Sequence, residues 1–321
     1  MMDKTEKLKD KLDTIPNLPG IYKMLDKSGR IIYIGKSISL RSRVRSYFTH
    51  RHEWSKIEKM LALIDDIEYE VTDTHLEARL LECSLIKRIQ PIFNSQFKND
   101  RKYVYLRVED YNIHSALTIN HDRDEDSFGP FRSMSILLEL IDALKNLYPI
   151  RRLDGGYEFS YKVMPTRMDE EEFIDNRTSL LEILTDYNKL GVFMEALEKL
   201  MAEAAGQYKY ETATYYRNLI SYLKYVEGSI YNHRELYNKE LVLKLETEYG
   251  YKLFLVYKGQ IINIKSLNKL DNEPLEEFIE KSRRKSPLNM VDKDEKKNLD
   301  FINIIYSEIK SLPEENVIIL D

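Results

Sequence analysis

The stretch Pro19-Gly20-Ile21-Tyr22, together with Tyr33-Ile34-Gly35 eleven residues after Tyr22, decides the fold of the first hundred residues. Between them, Asp26-Lys27-Ser28-Gly29 has the composition of a tight turn, because these residue types favour the backbone conformations that turns require. The runs on either side are short and apolar, which is typical of strands. The sequence therefore predicts a β-hairpin over Gly20–Leu25 and Arg30–Gly35, with the two tyrosines on adjacent strands.

The residues around this hairpin have the periodicity of helices and of one further strand. The predicted elements are a helix over residues 3–13, a helix with Leu40, Val44 and Phe48 on one face, a helix over 55–64, a strand Ile67–Val71 and a helix Thr74–Ile89. The last helix begins with the capping box Thr74-His75-Leu76-Glu77 and ends before Pro91. This order predicts a small α/β domain on a short antiparallel sheet, which we place at residues 1–108.

The rest of the chain divides into three regions with different patterns. Residues 109–192 form a connector region with strand-like runs, a turn at Ser127–Phe131, a helix at Ile136–Leu147 and a weakly patterned segment from Arg151 to Arg177. Residues 179–226 are strongly helical, in two segments that meet around Tyr208–Tyr210, and we place a helical hairpin at residues 193–228. Residues 229–321 hold strands Leu241–Glu246, Tyr251–Lys258, Gln260–Leu267 and Val317–Leu320, with helices near 274–282 and 294–310. The predicted fold class is therefore a multidomain α+β protein.

Composition excludes several classes of protein. The 321 residues are 43% hydrophobic and 32% charged. No apolar run approaches the roughly 20 residues that span a bilayer, so no membrane partner is expected. The N-terminus lacks the apolar core of a signal peptide, which predicts a cytoplasmic protein. The single cysteine, Cys83, excludes an internal disulfide and any multi-cysteine metal or iron–sulfur site.

Charge is unevenly distributed along the chain. The net charge is −5, yet residues 1–108 hold 21 Lys/Arg against 15 Asp/Glu, and the remainder holds 28 against 39. Between Lys27 and His52 there are seven basic residues and no acidic one. This asymmetry indicates a basic working face on the first domain, although an ordinary solvated surface would give the same pattern.

Glu82 lies in the middle of its predicted helix, with Ala78, Leu85 and Ile86 three or four residues away. A carboxylate on a largely apolar face is costly unless a cation pairs with it. An arginine partner would make Glu82 part of a structural ion pair. A hard cation such as Mg²⁺, held by one carboxylate with waters and a substrate phosphate, would make it a metal ligand. These residues alone leave both interpretations open.

Arg41, Arg43 and Arg45 follow the hairpin at two-residue spacing, so a helix cannot direct all three to one side. One or two can face a reaction centre, and the others are better suited to contact a phosphate backbone. Lys36 directly follows the second strand, where it could lower the pKa of a nearby tyrosine, whose ordinary value of about 10 makes it a poor base. The hairpin tyrosines could equally be ordinary strand residues, since the chain has 23 tyrosines.

Together these residues form a specific pattern. Gly20-Ile21-Tyr22, Tyr33-Ile34-Gly35, Arg43, Glu82 and Asn94 resemble the GIY-YIG nuclease superfamily, and within it the UvrC excision-repair endonucleases. The resemblance also covers the runs Leu40 to Tyr47, Glu77 to Lys87, Pro91 to Asn94, Lys98 to Tyr105 and Phe128 to Pro130.

The resemblance implies hydrolysis of a DNA strand with one divalent metal and no covalent intermediate. Tyr33 would be the general base toward a water, Glu82 would hold Mg²⁺ or Mn²⁺, and Arg43 would contact the scissile phosphate. The family's remaining active-site positions correspond to Tyr22, Lys36, Tyr47 and Asn94. The residues expected to contact DNA are Lys36, Arg41, Arg43, Arg45, Lys98, Arg101 and Lys102.

Residues Leu197–Leu223 resemble a second family element, the UVR motif, through which UvrC and UvrB pair their helical hairpins. The residues expected to contact a partner are Met201, Ala205, Tyr208, Tyr210, Ala213, Arg217 and Leu223. Tyr210 replaces the more usual phenylalanine. The preferred interpretation is an exposed apolar face made for another hairpin. The alternative is that these apolar residues form the core of a hairpin buried within this chain.

Two features depart from the UvrC pattern. Residues 131–196 contain no cysteine where those proteins carry a four-cysteine cluster, so no iron–sulfur cluster is expected. Fewer than 100 residues follow the UVR motif, too few for the family's RNase H-like nuclease and its helix-hairpin-helix pair. We therefore expect residues 229–321 to be a truncated RNase H-like α/β domain, and the family's 5′ incision to be absent.

The expected function is that of a cytoplasmic endonuclease of nucleotide excision repair. It would nick one strand of a damaged duplex, on the 3′ side of a lesion held by UvrB. Two alternatives stay open. One is a non-catalytic adaptor that docks on UvrB through the hairpin, and the other is a structure-specific nuclease that acts without UvrB.

Overall fold

A computed structural model describes residues 4–49, 55–111, 115–237, 239–268, 272–285 and 294–320. The chain divides into two compact units, Met1–Asp100 with Leu236–Asp321, and Arg101–Glu235. The first boundary lies at residue 100 rather than 108, because the strand Val104–Val108 pairs with two strands of the second unit. The C-terminal region belongs to the same unit as the N-terminal hairpin.

The elements of the first unit follow the predicted order, whereas the second unit contains strands and a helix start that were not predicted. The strands are β1 (Gly20–Leu25), β2 (Ile31–Ser37), β3 (Asp66–Val71), β4 (Val104–Val108), β5 (Leu117–Asn120), β6 (Ser127–Phe131), β7 (Arg151–Leu153), β8 (Gly156–Glu158), β9 (Glu240–Thr247), β10 (Gly250–Tyr257), β11 (Gln260–Leu267) and β12 (Val317–Leu320). The helices are α1 (Lys4–Thr14), α2 (Leu40–Thr49), α3 (Ser55–Leu63), α4 (His75–Ile89), α5 (Met134–Lys145), α6 (Glu170–Thr185), α7 (Tyr187–Gly206), α8 (Tyr210–Tyr237), α9 (Asn272–Lys285) and α10 (Glu295–Ser311). Within the described part of the chain, no helix is both long and apolar enough to cross a membrane.

The predicted hairpin is confirmed, and it supplies the central strand β1 and the edge strand β2 of the first sheet. This sheet is antiparallel and has the strand order β2-β1-β3. Gly29 closes the hairpin turn at a φ of +77°, a left-handed conformation that glycine adopts without strain. In the register of the sheet, Tyr22 lies opposite Gly35 and Met24 lies opposite Tyr33. Paired residues point to the same face, so the two tyrosines share one face of the sheet.

Each face of the first sheet is covered by helices, because successive strand residues point in opposite directions. On one face, Tyr22 and Met24 join a core formed with α1, α2 and α3. On the other face, Ile21 and Ile34 pack against α4. The tyrosines and α4 therefore lie on opposite faces, and β2 is the edge strand at which groups from both faces can meet.

The apolar face of α2 differs from the prediction at one residue. Leu40, Val44 and Tyr47 are buried, whereas Phe48 is 39% exposed. Residues four and then three apart stay on one side of a helix, whereas two steps of four turn the face toward solvent. Tyr47 therefore takes the core position that we predicted for Phe48.

Helix α4 is buried on two sides. Its N-terminus has the predicted capping box, in which Thr74 and Glu77 satisfy each other's backbone N–H groups. Leu85 is one of the residues that pack against the first sheet. Leu76 and Cys83 pack in a separate core on the other side of the helix.

A second sheet, formed by the C-terminal region, supplies that separate core. It is antiparallel throughout, with the strand order β11-β10-β9-β12. One face, which includes Leu243 and Phe254, packs against α4 and α10. The opposite face, which includes Val242 and Leu255, packs against α9. Helix α4 thus lies between the two sheets of its unit.

The second unit packs the sheet β5-β4-β6, the hairpin β7-β8 and helices α5 to α8 around one core. One prediction in this unit is wrong, because Ser127–Phe131 is strand β6, paired with β4, rather than a turn. The segment from Arg151 to Arg177, where the sequence pattern is weak, contains the hairpin β7-β8 and the first turns of α6. Helix α6 begins with a capping box at Asp169.

Helices α7 and α8 contain the helical hairpin predicted over residues 193–228. The base of this hairpin is part of the core of its own unit, where Leu197, Leu219 and Leu223 are buried. The tip is exposed, with Tyr208 and Tyr210 at 79% and 63%. The assignment of Leu223 to a partner-binding surface is therefore wrong, because a side chain that is 1% exposed cannot contact a partner. The base of the hairpin is therefore buried within this chain, and an exposed apolar face made for a partner stays a prediction for the tip.

Candidate active site

Three tyrosines meet on the α2 face of the first sheet. Tyr22 comes from β1, Tyr33 from β2 and Tyr47 from α2, and their ring centroids lie 6.0 to 6.3 Å apart. The hydroxyl of Tyr47 lies 3.0 Å from that of Tyr22 and donates to that of Tyr33 at 3.4 Å. The three phenol groups therefore form one hydrogen-bonded cluster.

Close contacts explain why glycine occupies positions 20 and 35 of the two motifs. Gly35 lies opposite Tyr22 in the sheet, and a Cβ at this position would come within 2.9 Å of Cε1 of the Tyr22 ring. A Cβ on Gly20 would come within 2.8 Å of Cδ1 of Leu40. Any larger residue at position 35 would push the Tyr22 ring away from its partners.

Arg43 is the basic residue of α2 that reaches the tyrosine cluster. Its Nη2 donates to the hydroxyl of Tyr47 at 3.1 Å, and its guanidinium carbon lies 4.9 Å from the centroid of the Tyr47 ring. The hydrogen bonds therefore run from Arg43 to Tyr47 and from Tyr47 to Tyr33. A positive charge at the start of this chain favours negative charge at its end.

Tyr33 is the most accessible of the three tyrosines. Tyr22 and Tyr47 are 1% and 5% exposed, whereas Tyr33 is half-buried. Burial raises the pKa of Tyr22 well above its usual range. Burial also raises the pKa of Tyr33, and Tyr47 and Glu82 add to the rise. The sequence suggested that Lys36 could lower the pKa of a tyrosine here, whereas the net change at Tyr33 is a rise with burial as its main cause.

Glu82 reaches the end of β2 from the opposite face of the sheet. Its Oε1 accepts a hydrogen bond from the backbone N–H of Lys36 at 3.1 Å. Burial raises the pKa of the Glu82 carboxyl to about 7, although the positive charges of Lys36, Arg79 and Arg43 oppose the rise. The ionised carboxylate is thus poorly compensated by the protein alone.

Among the described residues, no arginine forms the ion pair with Glu82 that the structural interpretation requires. Arg79, one turn before it on α4, pairs with Glu308 at 2.9 Å. Arg43 is directed to Tyr47. Of the two interpretations of Glu82, the metal ligand fits these contacts better.

Asn94 binds the edge of β2 beside Tyr33. Its Oδ1 accepts a hydrogen bond from the N–H of Ile34 at 2.9 Å, and its Nδ2 donates to the carbonyl of Ile34 at 2.8 Å. The N–H of Phe93 donates to the carbonyl of Ile32 at 3.0 Å. These bonds satisfy backbone groups on both sides of Tyr33, so Asn94 acts as a positioning residue for the strand.

Two further residues share the side of α4 that carries Glu82, and the sequence reasoning missed them. Arg79 and His75 precede Glu82 by three and seven residues, a spacing that places them along one side of a helix. Burial, with the charges of Lys36 and Arg79, lowers the pKa of His75 to about 4, so its ring is neutral at pH 7. The helical spacing was the signal that could have found both.

The two other basic residues of α2 that were predicted to contact DNA bind the region of α1. Arg41 donates to the carbonyl of Ile15 at 2.6 Å, and Arg45 pairs with Asp13, so both contact the end of α1 and the residue that follows it. Lys98 is half-buried in the segment after α4, Lys102 belongs to the second unit, and the side chain of Arg101 lies outside the described residues. Of the three arginines of α2, the structure therefore brings only Arg43 to the tyrosine cluster.

Comparison with known proteins assigns this site to a family. Residues 18–95, which contain every residue of the site described above, match the model of the UvrC-like GIY-YIG domain. This part of the chain is a UvrC-like GIY-YIG domain. The resemblance drawn from Gly20, Tyr33, Glu82 and Asn94 is therefore confirmed.

Relatives extend the similarity beyond this domain. UvrABC system protein C of Thermoanaerobacter sp. strain X514 is 38% identical over 155 residues, which are 47% of this chain and 25% of that protein. UvrABC system protein C of Acetivibrio thermocellus is 30% identical over 277 residues, which are 79% of this chain and 44% of that protein. The crystal structure of the GIY-YIG N-terminal endonuclease domain of UvrC from Thermotoga maritima, bound to its catalytic magnesium, is 37% identical and covers 28% of this chain and 98% of that one, with a TM-score of 0.26. The chain thus spans 25% and 44% of the length of these two curated relatives.

Proposed function

We propose that this protein is a divalent-metal-dependent DNA endonuclease that nicks one strand of a damaged duplex. The observation that carries the proposal is that two groups of candidate catalytic residues reach strand β2 from its opposite faces. The tyrosine cluster with Arg43 lies on one face, and Glu82 reaches the N–H of Lys36 from the other. Both belong to a UvrC-like GIY-YIG domain.

The residues present fit one hard cation at Glu82. Within the described residues, no group of three or more His, Cys, Asp and Glu side chains is placed to hold a metal, so a cation here would rely on one protein carboxylate. Mg²⁺ is often bound by one carboxylate together with waters and substrate phosphate oxygens. Burial of Glu82, which raises its pKa to about 7, also makes its carboxylate one that a cation would stabilise. When bound, such a cation would neutralise charge on the scissile phosphate.

Tyr33, in its phenolate form, would accept the proton of the attacking water. Its hydroxyl oxygen already accepts a hydrogen bond from Tyr47, whose own oxygen accepts from Arg43. This chain of donors begins at the positive charge of Arg43 and ends at the Tyr33 oxygen, although burial and the neighbouring Tyr47 raise the pKa of Tyr33. Tyr22 and Tyr47 would support the base rather than act on substrate, since both are almost fully buried.

Arg43 and Lys36 would bind the scissile phosphate. Arg43 presents its guanidinium beside the cluster, and preorganised positive groups are most effective where charge develops in the transition state. Lys36 ends β2, and burial lowers its pKa while Glu82 opposes that change. Its side chain carries a positive charge next to the carboxylate that would hold the cation.

The strand side and the partners follow from the relatives by analogy. The matched proteins are named as components of the UvrABC system, which supports UvrB as a partner. We propose the 3′ side of a lesion as the position of the nick on the resemblance of the site to the GIY-YIG endonucleases of excision repair. The exposed tip of the helical hairpin, with Tyr208 and Tyr210, is the surface we propose for UvrB. The residues proposed for this contact are Met201, Ala205, Tyr208, Tyr210, Ala213 and Arg217. We keep the RNase H-like relationship of the second sheet as a prediction.

A nicking assay tests the function. A duplex with one lesion, labelled at each 5′ end in turn, would be incubated with this protein, UvrA, UvrB and Mg²⁺. We expect one cut on the 3′ side of the lesion and none when EDTA replaces Mg²⁺. Cutting that persists in EDTA, or a cut that ignores the lesion, would contradict the proposal.

The exposed hairpin tip favours one competing function, a non-catalytic adaptor that docks on UvrB. Replacement of Tyr208 and Tyr210 by alanine separates the possibilities without disturbing the buried base of the hairpin. A nuclease recruited by UvrB should lose both binding and lesion-dependent nicking. A nuclease that acts without UvrB should keep its full activity, and an adaptor should bind UvrB in the wild-type form and never cut DNA.

A further inference from the structure

The back of the helix that carries Glu82 is covered by residues that have no part in the proposed chemistry. Leu76 and Cys83 of α4 are fully buried against the second sheet and α10. Together with Leu80, they form a stripe with the spacing i, i+4, i+7. This stripe is separate from the one that faces the first sheet, so α4 needs a second layer to be buried.

Ion pairs join α4 and its N-terminal cap to the same layer along the whole helix. They are Lys252 of β10 with Glu77 at 2.5 Å and Asp73 at 2.6 Å, Arg79 with Glu308 of α10 at 2.9 Å, and Lys87 with Asp300 of α10 at 3.0 Å. Several of the partners are deeply buried, with the side chain of Asp300 0% exposed and that of Glu308 11%. Removing one partner of a buried pair is strongly unfavourable, so these contacts resist any shift of α4 along its axis.

Glu82 lies between these contacts. Arg79 is one turn before it and Lys87 is five residues after it, and both are bound to α10. On the other face, Glu82 meets the N–H of Lys36 at 3.1 Å. A catalytic group must be held within about 0.5 Å of its working position, which requires packing from residues outside the site.

We propose that the second sheet and α10 form a positioning element for the glutamate that would hold the metal. The second sheet and α10 fix the rotation of α4 about its axis and its position along that axis. They thereby keep the Glu82 carboxylate at the end of β2. The residues that carry this role are Val256 and Phe254 in the apolar layer, and Glu308 and Asp300 in the ion pairs. The proposal rests on the proposed function of the Glu82 site.

Two matched variants of the full-length protein test the role. Val256 and Val242 are both fully buried in the second sheet, but Val256 faces α4 and Val242 faces α9. Val256→Ala and Val242→Ala therefore remove the same atoms from opposite faces of one sheet. Mn²⁺ binding without DNA would be measured by electron paramagnetic resonance, with Glu82→Gln as the reference for a lost site. The rate at which Cys83 reacts with a thiol reagent would report how often the packing between α4 and the second sheet opens, since Cys83 is buried there and is the chain's single cysteine.

We expect Val256→Ala to weaken Mn²⁺ binding about tenfold, the usual effect of losing support for a metal ligand, and to speed the reaction of Cys83. Val242→Ala should leave both within about twofold of wild type. Equal Mn²⁺ affinity in the two variants would overturn the positioning role alone. A wild-type protein that binds no Mn²⁺ would overturn the proposed function and this role with it.

A second pair of variants covers the case in which Val256→Ala does not fold. Glu308→Gln removes the charge that Arg79 pairs with on α10, and Glu280→Gln removes an exposed pair with Arg284 on α9. We expect the first to weaken Mn²⁺ binding and expose Cys83, and the second to change neither. Mn²⁺ affinity and Cys83 reactivity that stay at wild-type values in Glu308→Gln would contradict the proposal.

Discussion

Gly35→Ala tests whether the close packing of Tyr22 on β2 holds the tyrosine cluster together. The new Cβ would lie 2.9 Å from Cε1 of the Tyr22 ring and nearer still to its hydroxyl end. Non-bonded carbon atoms pack at about 3.5–4.0 Å, so the hydroxyl end of the ring must move by about 1 Å. Since Tyr22 is 1% exposed, the surrounding core must absorb that movement.

The size of the effect follows from what this movement breaks. A shift of about 1 Å removes the 3.0 Å hydrogen bond between Tyr22 and Tyr47, through which the cluster is joined. Overpacking a core costs about 1–3 kcal/mol, and we expect the free energy of unfolding to fall by that amount. Misplacing supporting groups by about 1 Å lowers enzymatic rates about 100-fold, and we expect the nicking rate to fall to that extent.

Urea unfolding and single-turnover nicking would measure the two effects. Gly191→Ala is the control, because a Cβ at Gly191 in α7 meets nothing within 4 Å and alanine favours a helix. Adding Tyr22→Phe to Gly35→Ala removes part of the clash, so stability should partly recover while the bond to Tyr47 stays lost. Wild-type stability and nicking in Gly35→Ala would refute the reasoning.

Three further predictions use the same two assays. Tyr33→Phe should lower nicking by about 100-fold or more but change the free energy of unfolding by less than about 1 kcal/mol, since its hydrogen bond to Tyr47 is long at 3.4 Å. Asn94→Ala should lower the free energy of unfolding by about 2–3 kcal/mol, because it leaves the N–H and carbonyl of Ile34 without partners, and Asn94→Asp should cost less. In metal-free protein, the Glu82 carboxyl has a pKa of about 7, above its ordinary 4.5, so folding favours its protonated form and stability should fall as pH rises from 5 to 8. The fall is at most about 3 kcal/mol, and urea titrations in EDTA should show that it is absent in Glu82→Gln.

Local chemistry accounts for the features that the sequence alone predicted. The hairpin depended on turn residues and strand-forming runs next to each other in the chain, and the helix of Glu82 was marked by the capping box at Thr74. The meeting of Tyr22 with Tyr33 followed from the pairing of adjacent strands. The burial of Tyr47 instead of Phe48 did not follow from the sequence. Residues 47 and 48 both lie near the edge of the apolar face of α2, and packing decided which of them is buried.

Contacts between distant parts of the chain account for what the sequence did not predict. Arg79 and Glu308 are 229 residues apart, and no periodicity within either helix indicates that they pair. The second apolar stripe of α4, at Leu76 and Cys83, could have indicated that another layer packs on this helix, because one three-stranded sheet cannot cover both sides of it. Leu223 was misassigned because the same apolar spacing serves a core and a docking surface alike.

The most direct measurement is the rate of lesion-dependent nicking by wild-type, Tyr33→Phe and Glu82→Gln proteins at equal concentration, with UvrA, UvrB and Mg²⁺ present. If Tyr33 and Glu82 form one metal-dependent centre, the wild-type protein should make a single cut, and each variant should be slower by about 100-fold or more. Nicking at the wild-type rate by either variant would contradict the claim that Tyr33 and Glu82 form one catalytic centre.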